Sequence, residues 1–166
     1  MLKKIILIIL AIIFIGCVIV FFWKKQIINP NQEIIYLNKT YNYNLKIPKE
    51  WANKYKIIEK ENKVSFFYNI ILPSTAVQEE NLLFSITVYS KNEWEKIEKE
   101  NKEAEEKGLT SGCCLKVFAK KNEKIFVYNI SISNPYGFYN KEVADKFNKM
   151  TGQVQKIITS FSVINQ

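Results

Sequence analysis

Histidine and arginine are absent from this chain, and aspartate occurs once, at Asp145. Without histidine there is no Ser-His-Asp or Cys-His nucleophile arrangement, no imidazole acid–base group and no imidazole metal ligand. Without arginine, bidentate recognition of phosphate or carboxylate by a guanidinium is closed. A lone aspartate gives no Asp-rich cage for Mg²⁺ or Ca²⁺. Glycine is scarce too. Gly108, Gly112, Gly137 and Gly152 stand isolated, so no glycine-rich phosphate loop is present. Glutamates are plentiful, but those between 93 and 106 recur with the spacing of an exposed helix face rather than as the facing pair of a glycosidase. No catalytic residue, cofactor or metal site is therefore expected.

What is present begins with a hydrophobic run. Ile5 to Trp23 carries no charge and is bracketed by Lys3-Lys4 and Lys24-Lys25. As a helix its nineteen residues would span about 28 Å, close to the roughly 30 Å hydrocarbon core of a bilayer. Trp23 sits where an interfacial aromatic belongs. The run reads first as an uncleaved transmembrane anchor. Phe14-Ile15-Gly16-Cys17 resembles a lipobox, which keeps a second reading open in which Cys17 is lipidated, although bulky apolar residues continue after it. A simple cleaved signal, the third reading, would need a small-x-small site that the run offers poorly. The charge bias across the run is slight and favours the N-terminus inside, placing the C-terminal domain outside the cytoplasm on a single-pass chain.

The expected division is an anchor over 1–25, a linker over 26–33 and one extracytoplasmic domain over 34–166. The chain carries 24 lysines against 16 acidic residues. Setting aside the four lysines that bracket the run leaves a mildly basic domain, its charge spread rather than gathered. That pattern suits an anionic surface polymer or an envelope protein as partner, besides the bilayer met by residues 5–23, and shows no nucleic-acid footprint.

Within the domain, strands are expected at Glu33–Asn38 and at 41–47, where Tyr41, Tyr43, Leu45 and Ile47 alternate with polar residues. Pro48-Lys49-Glu50-Trp51 reads as one helical turn with Trp51 plugging the core. A hairpin over 55–59 and 64–70 turns at Glu61-Asn62-Lys63, and Leu82–Tyr89 reads as a central strand. Lys91–Lys107 predicts a helix with a narrow Trp94, Ile97, Asn101, Ala104 stripe and Gly108 as C-cap. A second hairpin, 113–119 with 125–132, turns at 121–123. The last helix starts near Asn140, carries Val143, Phe147, Met150, Val154 and Ile157 on one face, and is open to a kink at Gly152. A short extended tail follows at 161–163. The fold class is α+β: an antiparallel sheet with packed helices, preceded by one N-terminal transmembrane helix.

Tyr43-Asn44-Leu45-Lys46-Ile47-Pro48-Lys49-Glu50-Trp51 resembles the opening of PsbP/Mog1-like domains, and Lys156-Ile157-Ile158-Thr159-Ser160-Phe161 is similar to their close. The two motifs bracket nearly the whole domain. The resemblance, shared with small membrane-anchored or lipidated clostridial proteins, implies a sandwich that serves as an adaptor, assembly or binding module. It supplies no active site to transfer.

Two features stand out as candidate chemistry. Tyr136, Phe138 and Tyr139 cluster in a turn and are the candidate binding anchors. Cys113-Cys114 would point to opposite faces of a strand, which disfavours a mutual disulfide. Together these observations predict a membrane-anchored extracytoplasmic binding or interaction module. A structural surface protein without a specific ligand, or an extracytoplasmic hydrolase using Glu, Lys, Tyr or Cys, is the alternative.

Overall fold

Large apolar residues alternate with polar ones through the first strands, and the backbone follows that period of two. The computed structural model describes residues 33–69, 82–109, 115–132, 134 and 140–164. From Glu33 onward they belong to one compact unit. The elements are β1 (Glu33–Asn38), β2 (Tyr43–Pro48), a 3-10 turn (Lys49–Trp51), β3 (Tyr55–Lys60), β4 (Lys63–Tyr68), β5 (Leu82–Ser90), α1 (Lys91–Glu106), β6 (Lys116–Lys121), β7 (Lys124–Ile130), α2 (Lys141–Thr159) and β8 (Ser162–Val163). Both sheets are antiparallel: a three-stranded one ordered β1-β2-β8 and a five-stranded one ordered β3-β4-β5-β7-β6. The chain is α+β, as its residue pattern predicts.

β5 is the central strand of the larger sheet. Phe84, Ile86 and Val88 join Phe66, Phe126 and Tyr128 on its inner face. That face meets Tyr43, Leu45 and Ile47 from β2 and the apolar stripe of α2, from Val143 to Ile158. Phe66 and Phe84 stack with ring centroids 4.3 Å apart. Trp51 is fully buried and donates its indole N–H to Gln153 Oε1 at 2.7 Å, which ties the 3-10 turn to α2. On the opposite face Ile125 and Val127, alternating with Phe126 and Tyr128, receive Trp94 from α1. Trp94 is the one buried residue of α1, whereas α2 buries seven. α1 relies on its ends instead. Ser90 and Glu93 form a complete capping box, and Gly108 at φ +71° lets Gly108 N–H reach Glu105 O and Leu109 N–H reach Ala104 O.

Several details differ from the sequence reading. The second strand starts at Tyr43 rather than Tyr41, because Asn42 takes φ +51° and Asn38 Oδ1 accepts from Tyr41 N–H, making 39–42 a turn. The second hairpin tightens to Asn122-Glu123, both with positive φ, which keeps Lys121 in the ladder opposite Lys124. Gly152 leaves α2 unbroken, since the helix is held by buried residues on both sides of it. Among the described residues no helix is long and apolar enough to cross a membrane. The run Ile5–Trp23 and residues 70–81 lie outside them.

Candidate functional site

The turns at one end of the large sheet bring distant residues together. Asn62, in the β3–β4 turn, accepts from Val88 N–H through its carbonyl and donates its side-chain amide back to Val88 O at 3.0 Å. Glu123, in the β6–β7 turn, accepts Lys91 N–H through its carbonyl at 3.0 Å. Both hairpins therefore clamp the junction where β5 passes into α1. On the other side, Ile164 N–H donates to Asn42 O at 2.8 Å and β8 pairs with β2, which brings the end of the chain's last strand beside the β1–β2 turn.

Between these elements lies an open groove of about 470 Å³. It is lined by Tyr41 and Asn42 from the first turn, by Lys121, Asn122 and Lys124 from the last hairpin, and by Phe126, Val163 and Ile164. Two cations and no carboxylate line it. Lys124 lies with its ammonium 4.8 Å from the ring centre of Tyr41, a cation–π contact that fixes its position without neutralising it. Among the described residues, neither lysine makes an ion pair. Two neighbouring depressions share Lys124 but differ in charge. One mixes Lys91, Lys120, Lys121 and Lys124 with Glu95, Glu98 and Glu123, and the other sets Glu61 and Glu93 against Lys124. Glu93 is already committed. Its carboxylate accepts from Ser90 Oγ and Ser90 N–H, which holds it below the usual carboxylate range. The groove at Tyr41 and Asn42 is thus the one of the three with no carboxylate in its own lining, while both its lysines also border the depression that holds Glu95, Glu98 and Glu123.

Tyr43, whose ring lies 5.8 Å from that of Phe126, belongs to a polar cluster that runs from the core out to the exposed Glu59. Tyr36 donates its hydroxyl to Glu59 Oε1 at 2.6 Å and accepts from Asn38 Nδ2 at 3.1 Å. Tyr43 is fully buried and its hydroxyl has no hydrogen-bond partner among the described residues. Burial first, and then Glu59 for Tyr36 and the neighbouring Tyr36 hydroxyl for Tyr43, push both phenols far above their ordinary value. Both stay neutral at physiological pH, so the cluster offers hydrogen bonds and shape rather than a base. Among the described residues no three Cys, Asp or Glu side chains converge to hold a metal ion.

The residues singled out in the sequence fall elsewhere. Tyr136, Phe138 and Tyr139 lie outside the described residues, as do Cys17, Cys113 and Cys114. Trp51 and Trp94 are core residues, Asp145 is exposed, and every glutamate of α1 faces solvent. Tyr41, Lys121 and Lys124 are brought together by folding alone. The only local signal for them is that Lys-Lys-Asn-Glu-Lys from 120 to 124 is a turn dense in lysine. No family model, curated protein or solved structure matches the chain.

Proposed function

We propose that the chain is a membrane-anchored, extracytoplasmic binding module whose groove at Tyr41, Lys121 and Lys124 receives anionic groups of an envelope polymer. The observation that carries the binding reading is the pair of lysines that line the groove with no carboxylate in the same lining. A groove of one sign focuses field on its contents and favours an oppositely charged ligand. Lysine meets that ligand as a point charge, so the ligand class is defined by charge density, phosphate or carboxylate along a chain, rather than by planar geometry.

The anchor reading rests on the charge-free run Ile5–Trp23. Residues 26–32 span at most about 25 Å when extended, which bounds the length of the tether. The PsbP/Mog1-like assignment belongs to this proposal too. Its support is that the two motifs adjoin in space. Ser160 Oγ accepts Lys46 N–H at 2.9 Å, β8 pairs with Tyr43 and Asn44, and Phe161 lies 5.4 Å from the Tyr43 ring.

Two measurements test it. Titration of the full chain in detergent with inorganic polyphosphate should saturate at low ionic strength and weaken as salt screens the lysines; absence of saturable binding removes the groove reading. The intact mass of the mature protein extracted from membranes should be that of the full chain. A mass beginning at a diacylated Cys17 would replace the anchor by a lipid, and recovery of the full chain in the soluble fraction would end the membrane reading.

A further inference from the structure

Tyr41 and Lys124 line two depressions at once. One is the groove that also holds Lys121, and the other is an open depression of about 540 Å³ that also holds Glu61, Tyr89 and Glu93. The second lining reverses the first, with two carboxylates and two tyrosine rings against the single Lys124. Its carboxylates are not equivalent. Glu93 is committed to Ser90 in the capping box of α1. Glu61 is exposed in the β3–β4 turn at φ +51° and makes no ion pair among the described residues. Lys60 and Lys63 flank it in the chain, yet neither pairs with it and neither lines the depression. The turn itself is fixed, since Asn62 is bonded in both directions to Val88. The rings are anchored too: Tyr89 lies against Trp94 with centroids 5.7 Å apart, and Tyr41 already meets one ammonium, that of Lys124. A carboxylate beside aromatic rings is the chemistry that receives an ammonium group, through charge and through the ring quadrupole.

We infer that the two depressions take the two charges of one zwitterionic ligand, its anion at Lys121 and Lys124 and its ammonium at Glu61 beside the tyrosine rings. This ligand class rests on the anion reading of the groove and adds an opposite charge to the same ligand. Because both depressions share Tyr41 and Lys124, a ligand crosses from one to the other past a single pair of side chains. The class is therefore a phosphate or carboxylate group with an amine close to it in the covalent structure, whether free or repeated along a polymer. Lys124 repels an ammonium in the second depression, and Glu93 is already engaged by Ser90. Selection for the amine thus depends on Glu61.

Two small probes separate the ammonium from the anion. Glycerophosphoethanolamine and its N-acetyl derivative share one phosphodiester and differ in the charge on nitrogen. Each would be used to displace inorganic polyphosphate from the full chain in detergent at low ionic strength. Net charge alone favours the N-acetyl form, which is an anion. A zwitterion site predicts the reverse, with the ammonium form displacing polyphosphate at about threefold lower concentration, the scale of one exposed ion pair with a ring contact. Glu61→Gln should abolish that preference while polyphosphate still binds. Glu123→Gln removes an exposed carboxylate that lines neither depression and should leave the preference intact. Circular dichroism checks that both variants stay folded. Polyphosphate that binds but is displaced by neither diester, or equally by both, or better by the N-acetyl form, overturns the inference and leaves the groove reading standing. A preference that survives Glu61→Gln, or is lost equally in Glu123→Gln, overturns it as well. If polyphosphate does not bind at all, the groove reading falls and the zwitterion site falls with it.

Discussion

At one end of the five-stranded sheet, β3 and β4 close through Glu61-Asn62 and β6 and β7 through Asn122-Glu123, while at the other end the strands part for longer stretches. Tyr68 and Leu82, Lys116 and Ile130 all lie at that second end; residues 70–81, 110–114 and 135–139 lie outside the described ones. Two-residue turns fix the backbone on both sides, so the side chains beside them are held by the sheet itself. Longer connections have no such local determinant. The difference teaches that a site built from lysines in tight turns is a property of the fold, whereas a site in the long connections would have to be built by those connections.

The largest effect that sharpens this contrast is in the shared core. Phe84→Ala removes a fully buried ring near the second end and should lower unfolding free energy by about 3–5 kcal/mol, measured by urea denaturation. If the lysine groove is held by its own turns, polyphosphate affinity below the unfolding transition should be unchanged in that variant. Alkali should work from the other end. Burial holds Tyr36 and Tyr43 neutral in the folded chain, while in the unfolded chain they ionise near their ordinary value of 10.0. Their stabilisation is complete below that pH and falls as pH rises beyond it, by about 1.4 kcal/mol per pH unit for each tyrosine. Tyr43→Phe should reduce that slope by one residue's share, as denaturation at pH 10 to 12 would show.

Smaller effects probe the turns themselves. Ser90→Ala removes the capping box at the β5–α1 junction and should cost about 1 kcal/mol, visible as a lowered Tm. Glu123→Gly should act in the opposite direction. Glu123 holds φ +59° in a position where glycine has no steric penalty, so the change should add about 0.5–1 kcal/mol in the same assay. A loss of stability there would mean the Glu123 side chain contributes contacts that outweigh its backbone strain.

Much of the fold was legible in the residues. Alternation at Tyr43, Leu45 and Ile47, the Pro48–Trp51 turn, the central position of β5 and both helix caps at Asn140 and Gly108 follow from local chemistry. The turn at Tyr41-Asn42 was not, because an aromatic beside Asn42 continues the strand's alternation while the Asn38 side chain diverts the backbone. The groove was illegible for a different reason. Tyr41 and Lys124 stand far apart in the chain, and only the packing of one sheet on the other, where Tyr43 meets Phe126, brings the Lys124 ammonium to 4.8 Å from the Tyr41 ring centre. A lysine in a turn is ordinarily a solvated lysine, and nothing in the residue order marks these two as facing the same aromatic.

The most direct test compares the lysine groove with the aromatic cluster singled out in the sequence, in one titration. Polyphosphate binding to the full chain would be measured by calorimetry for the unsubstituted protein, for Lys121→Gln with Lys124→Gln, and for Tyr136→Ala with Phe138→Ala and Tyr139→Ala. Binding at the hairpin end predicts that the lysine pair weakens affinity by at least about tenfold while the aromatic triple leaves it unchanged. Loss of binding in the aromatic triple, with the lysine pair indifferent, would contradict it.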